Sequence, residues 1–578
     1  VDCYIIPTDD YHHSEYVGDY FKFREYITGF TGSAGTAVFT KDKAGLWTDG
    51  RYFIQAEAQL KGSGITLYKS GESDVPTIEE FLKSELKEGD VLGFDGRTVT
   101  YAQGKRYCHI ADENGASLKY SLDFAQNIWK ERPEMSMESV FSLADEYTGE
   151  KIGSKLERIR EIMKENGCNA HVLSSLDDIA WLLNIRGNDI AYCPLVLSYA
   201  IVYNNSVELF ADIRKFSDDI INLLAENQVK IYPYEGIYRK VSEMTSEDKL
   251  LLDSSIMNYS LYQAISKETV IIDKQNPEIL MKSVKNETQA ENLRKAHLKD
   301  AVAHTKFMYW LKKNIGRVEI TELSASARLE GLRAEQEHFL GPSFGPISAY
   351  GEHGAIVHYS ADEKSNVPLK EGKLFMTDTG GHYLEGSTDI TRTVALGEVG
   401  NIEKEHFTLV ARAMLRLANT VFLYGCSGAN LDCIAREVFW KEGLNFNHGT
   451  GHGVGYLLNI HEGPINFRWK EGERPAPALE ENMVITDEPG IYIEGSHGIR
   501  LENELLVRKT VKNEYGQFMN FEILTYVPID LDAILPEKMS TEEKEMLNHY
   551  HKQVYEKVSP YLSEEERIWL KEYTRAVK

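Results

Sequence analysis

Cysteine is scarce in this chain: six in 578 residues, at positions 3, 108, 168, 193, 426 and 433, with no C-x-x-C pair. That excludes a disulfide framework and a Cys-rich zinc site, and it favours a reducing cytoplasm. Long apolar runs are also missing. The nearest, Ala191 to Tyr203, carries Pro194 and Ser198 and falls short of the roughly 18 residues of a membrane span. It reads as buried strand. The first residues are not expected to act as a secretory signal. Positive charge is under-supplied, with 64 Lys and Arg against 89 Asp and Glu, a formal charge of −25. This argues against nucleic acid, which requires clustered Lys and Arg. It is compatible with cationic ligands such as peptide amines, although most acidic surfaces are simply solvated. H-E-x-x-H, Walker A and G-x-S-x-G patterns are all absent. What is present is ample apolar content, 42% hydrophobic and 11% aromatic residues. That is enough for sizeable cores, and the length suggests about three domains.

The first part of the chain holds a diverged repeat. Residues 37–53 read AVFTKDKAGLWTDGRYF and residues 200–216 read AIVYNNSVELFADIRKF. At a constant offset the pairs Ala37/Ala200, Leu46/Leu209, Asp49/Asp212, Arg51/Arg214 and Phe53/Phe216 correspond. Each copy is an apolar strand, a polar turn, a second strand and D-x-R-x-F. Before the second copy, Leu156, Ile159, Ile162 and Met163 form a helical stripe ended by Asn166-Gly167, and a strand Ala170–Leu173 follows. The first copy has its strand at Tyr4-Ile5-Ile6 with no helix ahead of it. A preceding helix is therefore expected in the natural protein. The predicted division is an α/β domain over 1–143, a second related one over 144–277, and a third domain over 278–578. The third opens on a long helix, Pro277 to about Lys313, and ends in a helical tail with capping boxes at Ser540/Glu543 and Ser563/Glu566.

The chemistry concentrates in the last domain. Leu374–Asp378 is an apolar strand ending in a carboxylate, and Asp389–Val394 is the expected return strand. Val484–Glu488 and Gly498–Glu502 repeat that pattern, so two predicted hairpins each offer two acids. Between them lie His448, His452 and His461 among alternating glycines. The segment fails the G-x-G-x-x-G spacing, which argues against a dinucleotide site. Carboxylates crowded on one sheet repel unless cations lie between them. Four acids and one His form a hard, oxygen-rich donor set that suits two Mn²⁺-like ions better than zinc on cysteines.

The segments GTGHGVG, NIHEGP, TDEPGIYIE and HGIRLENELLV resemble the signature of the pita-bread metallopeptidases. Ser14-Glu15-Tyr16, GFTGSAGT, WTDGRYF, LDDIAWLLN and Arg186-Gly187 extend the resemblance to the long, three-domain Xaa-Pro aminopeptidases. The resemblance implies an α/β (α+β) fold, with two related N-terminal α/β domains followed by a C-terminal pita-bread catalytic domain. It implies removal of the N-terminal residue from peptides with proline second, by water activated at two metal ions, most simply Mn²⁺. The implied ligands are Asp378, Asp389, His452, Glu488 and Glu502, with Asp389 and Glu502 bridging and Glu488 doubling as general base. His358, His448 and His461 would bind and orient substrate, and Arg500 would brace the network. Tyr492, Phe344 and Arg51 are carried over as further substrate-side residues, Phe344 as a wall for the proline ring. Trp440 would lie near a homodimer contact. A cytoplasmic homodimer acting on peptides, without nucleic acid or membrane, is implied.

Three histidines depart from the pattern. His382 reads as a polar bystander, His353 as a candidate for altering subsite preference, and His497 as an exposed turn residue. Two alternatives stay open: a prolidase-like enzyme restricted to Xaa-Pro dipeptides, and a non-catalytic pita-bread module that binds peptides.

Overall fold

The computed structural model describes residues 1–470 and 475–578. The chain divides into two compact units, Val1–Ile279 and Leu280–Lys578.

The N-terminal unit contains two six-stranded sheets. The first is built from β1 (Cys3–Pro7), β2 (Thr36–Thr40), β3 (Ala44–Thr48), β4 (Thr66–Lys69), β5 (Val91–Gly93) and β6 (Ser117–Lys119). The second uses α1 (Ile152–Glu165), β7 (Ala170–Leu173), β8 (Tyr199–Tyr203), β9 (Val207–Phe210), β10 (Val229–Tyr232), β11 (Lys249–Leu252) and β12 (Val270–Asp273). The strand orders are β4-β3-β2-β1-β5-β6 and β10-β9-β8-β7-β11-β12, one topology used twice. The register repeats as well: Ala37 pairs with Leu46, and Ala200 with Leu209. The α1 helix buries Leu156, Ile159 and Met163. It ends on left-handed Gly167 (φ 68°), a conformation that favours glycine.

The D-x-R shared by the two hairpins is a local staple. Arg51 donates its backbone N–H and Nε to Asp49 Oδ1, at 3.1 and 2.8 Å. Arg214 treats Asp212 in the same way, at 3.0 and 2.9 Å. Asp95 and Arg97 form a third example, with both contacts at 3.0 Å. The shared motif is thus explained by a two-residue turn in which one carboxylate satisfies both the backbone and the guanidinium. The apolar run from Ala191 is only partly a strand, since regular pairing begins at Tyr199, beyond Pro194.

The C-terminal unit opens with a correction. The helix expected from Pro277 to about Lys313 is two helices, Pro277–Ser283 and α2 (Glu287–Asn314). Asn286 breaks the run because it caps α2 in a capping box with Gln289. The helix α3 (Glu322–Ala334) follows. A three-stranded sheet orders β13 (Ile347–Tyr350), β14 (Lys373–Thr379) and β15 (Ile390–Leu396). After α4 (Asn401–Ala418), β16 (Phe422–Leu423) and α5 (Gly428–Trp440) come β17 (Gly451–Val454), β18 (His461–Phe467), β19 (Val484–Asp487), β20 (Gly490–Ile493), β21 (His497–Arg500), β22 (Asn503–Asn513) and β23 (Gly516–Ile523). The larger sheet runs β16-β23-β22-β19-β17-β18, and β20 pairs with β21 separately. Phe307, Phe375, Val394, Ile485 and Leu505, all fully buried, belong to one continuous core. The tail helices α6 (Thr541–Val558) and α7 (Glu564–Tyr573) both carry the expected capping boxes.

Candidate metal centre

The acids of the second predicted hairpin do not face each other across one ladder. Instead β19 pairs with β22, Asp487 opposite Asn503, while β20 pairs with β21, Gly490 opposite Arg500. Pro489, lacking an N–H, stands at the break. Glu488 and Glu502 therefore occupy the two pivots between ladders. Their backbone N–H groups are spent elsewhere: Glu488 donates to Thr450 O at 2.8 Å and Glu502 to Thr391 O at 3.1 Å. The first bond ties Glu488 to the glycine-rich segment of His452. The second ties Glu502 to the strand that begins just after Asp389. On the other sheet Asp378 pairs with Thr391, which leaves Asp389 just outside β15.

These junctions bring the five expected ligands together. Donor atoms of Asp378, Asp389 and Glu502 lie within 4.8 Å of one another, as do those of His452, Glu488 and Glu502. A third such group is Asp389, His452 and His461, so His461 stands at ligand range as well. Asp389 and Glu502 each belong to two groups. His452 Nε2 is 3.5 Å from both Asp389 Oδ2 and Glu488 Oε1. Its Nδ1 lies 2.9 Å from Gly453 O and must carry the proton there, which leaves Nε2 free to coordinate.

Electrostatics favour a cation at this place. Burial, followed by the neighbouring acids, pushes the Glu502 carboxyl well above its ordinary range. Burial likewise raises Asp378 and Glu488. Burial lowers His452, but Asp389 and Glu488 outweigh it and bring the ring to about 9. Asp378 Oδ1 is buried with no hydrogen-bond partner among the described residues. Hard oxygen donors, one correctly oriented imidazole and an orphaned carboxylate oxygen fit a pair of divalent cations.

A polar relay flanks the acids. Arg500 donates to Asp378 Oδ2 through Nη2 at 2.5 Å and through Nε at 3.2 Å. Its Nη1 donates to the Tyr492 hydroxyl oxygen at 2.7 Å, and His448 Nε2 lies 2.8 Å from the same oxygen. The other nitrogen of His448 sits 2.7 Å from Gly449 O and carries the proton, so Nε2 accepts from Tyr492. Burial, with Arg500 second, lowers His448 to about 3 and keeps it neutral. Arg500 also reaches Val357 O at 3.3 Å, next to half-buried His358. Phe344 is buried beside a small cavity it shares with Thr379 and Gly380, just past Asp378. Arg51 belongs to the N-terminal unit, where one edge of its guanidinium donates to both carboxylate oxygens of Asp49.

The remaining histidines resolve differently. His382 is buried with Nδ1 2.8 Å from Ser387 Oγ and belongs to no ligand group among the described residues. His353 pairs with buried Glu322 at 2.8 Å. His497 is a correction: it is 3% exposed and lies in β21, its Nε2 2.9 Å from His406 Nδ1. Packing against α4 makes it an interior residue.

Supporting residues beside the ligands were not read from the sequence. Thr391 Oγ1 donates to Glu502 Oε2 at 2.7 Å, and Thr486 Oγ1 to Glu488 Oε1 at 3.2 Å. Glu504 accepts the Asp389 N–H at 2.6 Å. Each of the three lies two positions from a ligand, at or next to a strand end, so that spacing was the available signal.

Fold and site define a peptidase class: the chain belongs to metallopeptidase family M24, which it matches over residues 291–509, with the C-terminal region of peptidase M24 over 517–577. Creatinase/prolidase N-terminal domains match residues 2–119 and 131–289. The particular relatives of full length are narrower in kind. The chain is 34% identical to aminopeptidase P1 of Arabidopsis thaliana, over 100% of this chain and 97% of that protein. It is 36% identical to Xaa-Pro aminopeptidase 1 of Dictyostelium discoideum, over 97% and 91%. The crystal structure of an X-prolyl aminopeptidase from Caenorhabditis elegans, described as a cytosolic enzyme with a di-nuclear active site, matches with a TM-score of 0.95. That match has 34% identity over 100% of this chain and 95% of that one. A Xaa-Pro dipeptidase from Bacillus anthracis shares the fold over 66% of this chain, with 24% identity and a TM-score of 0.53.

Proposed function

We propose that this chain is a Xaa-Pro aminopeptidase that removes the first residue from peptides with proline in second position. The observation that carries the reading is the meeting of four acids and His452 at the sheet junctions of a chain whose full-length relatives bear that name. Two Mn²⁺ ions are the proposed occupants. Asp378, Asp389 and Glu502 would hold one, and His452 and Glu488, with Asp389 and Glu502 shared, the other. When bound, such ions polarise a carbonyl and lower the pKa of water.

The chain's own residues do the rest. Glu488, held at the pivot between ladders, takes a proton from the attacking water and returns it to the departing proline nitrogen. His448, kept neutral, and His461 orient the scissile carbonyl, while His358 steadies the substrate from its own segment. Arg500 holds Asp378 and Tyr492 in place from a fixed fork. Phe344 walls the proline ring. Arg51 is kept as a substrate-side residue. The tertiary X-Pro amide has no N–H, so a site that does not rely on that donor is an advantage.

The three-part division at 1–143, 144–277 and 278–578 is retained, supported by the two like-ordered sheets. A cytoplasmic homodimer is proposed with it. All six cysteines are free, and among the described residues no helix is long and apolar enough to cross a membrane. The exposed indoles of Trp440 and Trp469, in edge contact at 5.7 Å, support an interface there.

The test is a peptide panel with metal-stripped and Mn²⁺-loaded protein. Xaa-Pro-Yaa should be cleaved only with metal, and Xaa-Ala-Yaa should resist. Equal cleavage of both, or cleavage of Xaa-Pro dipeptides alone, would overturn the assignment.

A further inference from the structure

Behind the candidate centre lies a buried polar layer that the proposed chemistry does not use. Its source is α2, whose residues His297 and Asp300 are one turn apart and fully buried. His297 Nε2 lies 3.1 Å from Glu504 Oε2, and both side chains are without exposure. The other oxygen of Glu504 accepts the backbone N–H of Asp389 at 2.6 Å. Asp300 reaches the neighbouring residue: Thr388 Oγ1 donates to Asp300 Oδ2. Arg333 of α3 donates to Asp300 Oδ1 at 2.7 Å and to Thr379 O at 3.1 Å. Thr379 follows Asp378, and Thr388 precedes Asp389. The two branches therefore grip the backbone next to both aspartates of the first predicted hairpin. Between them, Gly380 passes so close to Thr388 O that a Cβ would stand 1.8 Å away.

The Glu504 branch is an expensive choice for structure alone. It sets another buried carboxylate within reach of a cluster that already holds four, and buried like charges destabilise one another. A backbone N–H can be satisfied by a carbonyl at no such cost. What a carboxylate adds is a short, charge-assisted bond whose direction fixes the residue it grips. Groups that orient a ligand's backbone or ring govern metal affinity without touching the ion.

We propose that His297 and Glu504 are positioning residues that hold Asp389 in the pose needed for metal binding, with Asp300 and Arg333 fixing the adjoining backbone. The inference rests on the aminopeptidase reading, in which Asp389 is shared by two ions. The pair acts through Asp389 and is not itself a ligand.

The experiment is calorimetric titration of metal-stripped full-length protein with Mn²⁺, alongside steady-state kinetics at saturating Mn²⁺. Glu504→Leu should weaken the tighter Mn²⁺ site by about 10–100-fold. Glu504→Gln, which keeps an acceptor for the Asp389 N–H but loses the charge that shortens the bond, should recover only part of that affinity and stay about 3–10-fold below wild type. His297→Gln, a milder change in case the leucine variant does not fold, should fall between the two. Leu547→Ala, a cavity in the apolar core under α6 that touches none of these polar groups, supplies a control with a lowered thermal midpoint. Its Mn²⁺ affinity should stay at the wild-type value. Wild-type affinity in both Glu504→Leu and His297→Gln would overturn the proposal, as would an equal loss in Leu547→Ala. Failure of the wild type to take up Mn²⁺ at all would instead overturn the aminopeptidase reading, and this inference with it.

Discussion

One place in the C-terminal unit treats buried charge in the opposite way from the N-terminal unit. In the N-terminal unit it is neutralised on the spot. Lys215 and Asp189 are 5% exposed each and form an ion pair, and Asp189 also accepts the Leu197 N–H at 2.7 Å. Lys155 is 2% exposed, and burial, with Arg186 second, lowers its ammonium to about 7 while Trp181 O and Asn184 Oδ1 accept its protons. In the C-terminal unit Asp378, Asp389, Glu488 and Glu502 crowd together, offset among the described residues by His452 and Arg500. A folded chain minimises unpaired buried charge wherever stability alone is at stake. The excess at the sheet junctions marks the place where something outside the chain is meant to complete the balance.

The sharpest way to break this contrast is to neutralise one acid on each side. Asp389→Asn or Glu488→Gln should lower kcat/KM by at least about 10²–10⁴-fold. The same changes should keep or raise the thermal midpoint of metal-free protein, because one repulsive charge is gone. Near wild-type kcat in either purified variant would refute the assigned roles. Asp189→Asn should behave in reverse. It strands the Lys215 ammonium in the interior and should cost about 3–5 kcal/mol in denaturant unfolding of the N-terminal unit. An unchanged midpoint would break the comparison.

Arg500→Lys tests the relay at smaller scale. A lysine keeps the charge but loses the fork that spans Asp378 and Tyr492, so kcat/KM should drop about 10–100-fold. A variant with full activity would show that charge alone suffices there.

The most gradual effect concerns pH. His551 is fully buried, accepts the Ile529 N–H at 3.1 Å, and is lowered to about 3 by burial and then Arg392. Its folded pKa lies below its unfolded value near 6.5. Its contribution to stability is therefore present above that pH and is lost as pH falls from 6.5 towards 3. The slope is about 1.4 kcal/mol per pH unit for one proton. His551→Gln should flatten the acid limb of the stability profile measured by urea unfolding. An unchanged slope would assign that limb to other groups.

Much of this was legible from residues alone. The repeat at 37–53 and 200–216 marked two sheets whose hydrogen-bond register then matched. The capping boxes at Ser540 and Ser563 are local hydrogen-bond patterns, written in four residues and independent of the rest of the chain. The second hairpin was misread for a physical reason. Alternating apolar residues on both sides of Pro489 looked like one ladder, but which strand pairs with which depends on partners far along the chain. His497 was misread because its burial comes from α4, about ninety positions earlier. Asn286 carried its own signal, a capping box with Gln289, and the apolar periodicity around it masked the break.

By itself, the sequence determined the kinds of atoms available: four hard carboxylates, a histidine between glycines, and a short supply of cations to balance them. Those are covalent facts, and with them came the strand–turn units that local propensity dictates. Only the tertiary structure decided that these groups meet. Asp378 and Arg500 are 122 positions apart and stand 2.5 Å from each other. Glu488 and Glu502 face inward because their N–H groups bond to Thr450 and Thr391 on other strands. Convergence of this kind depends on long-range pairing and on the exclusion of water from one particular junction. Neither is a property of any short stretch of chain.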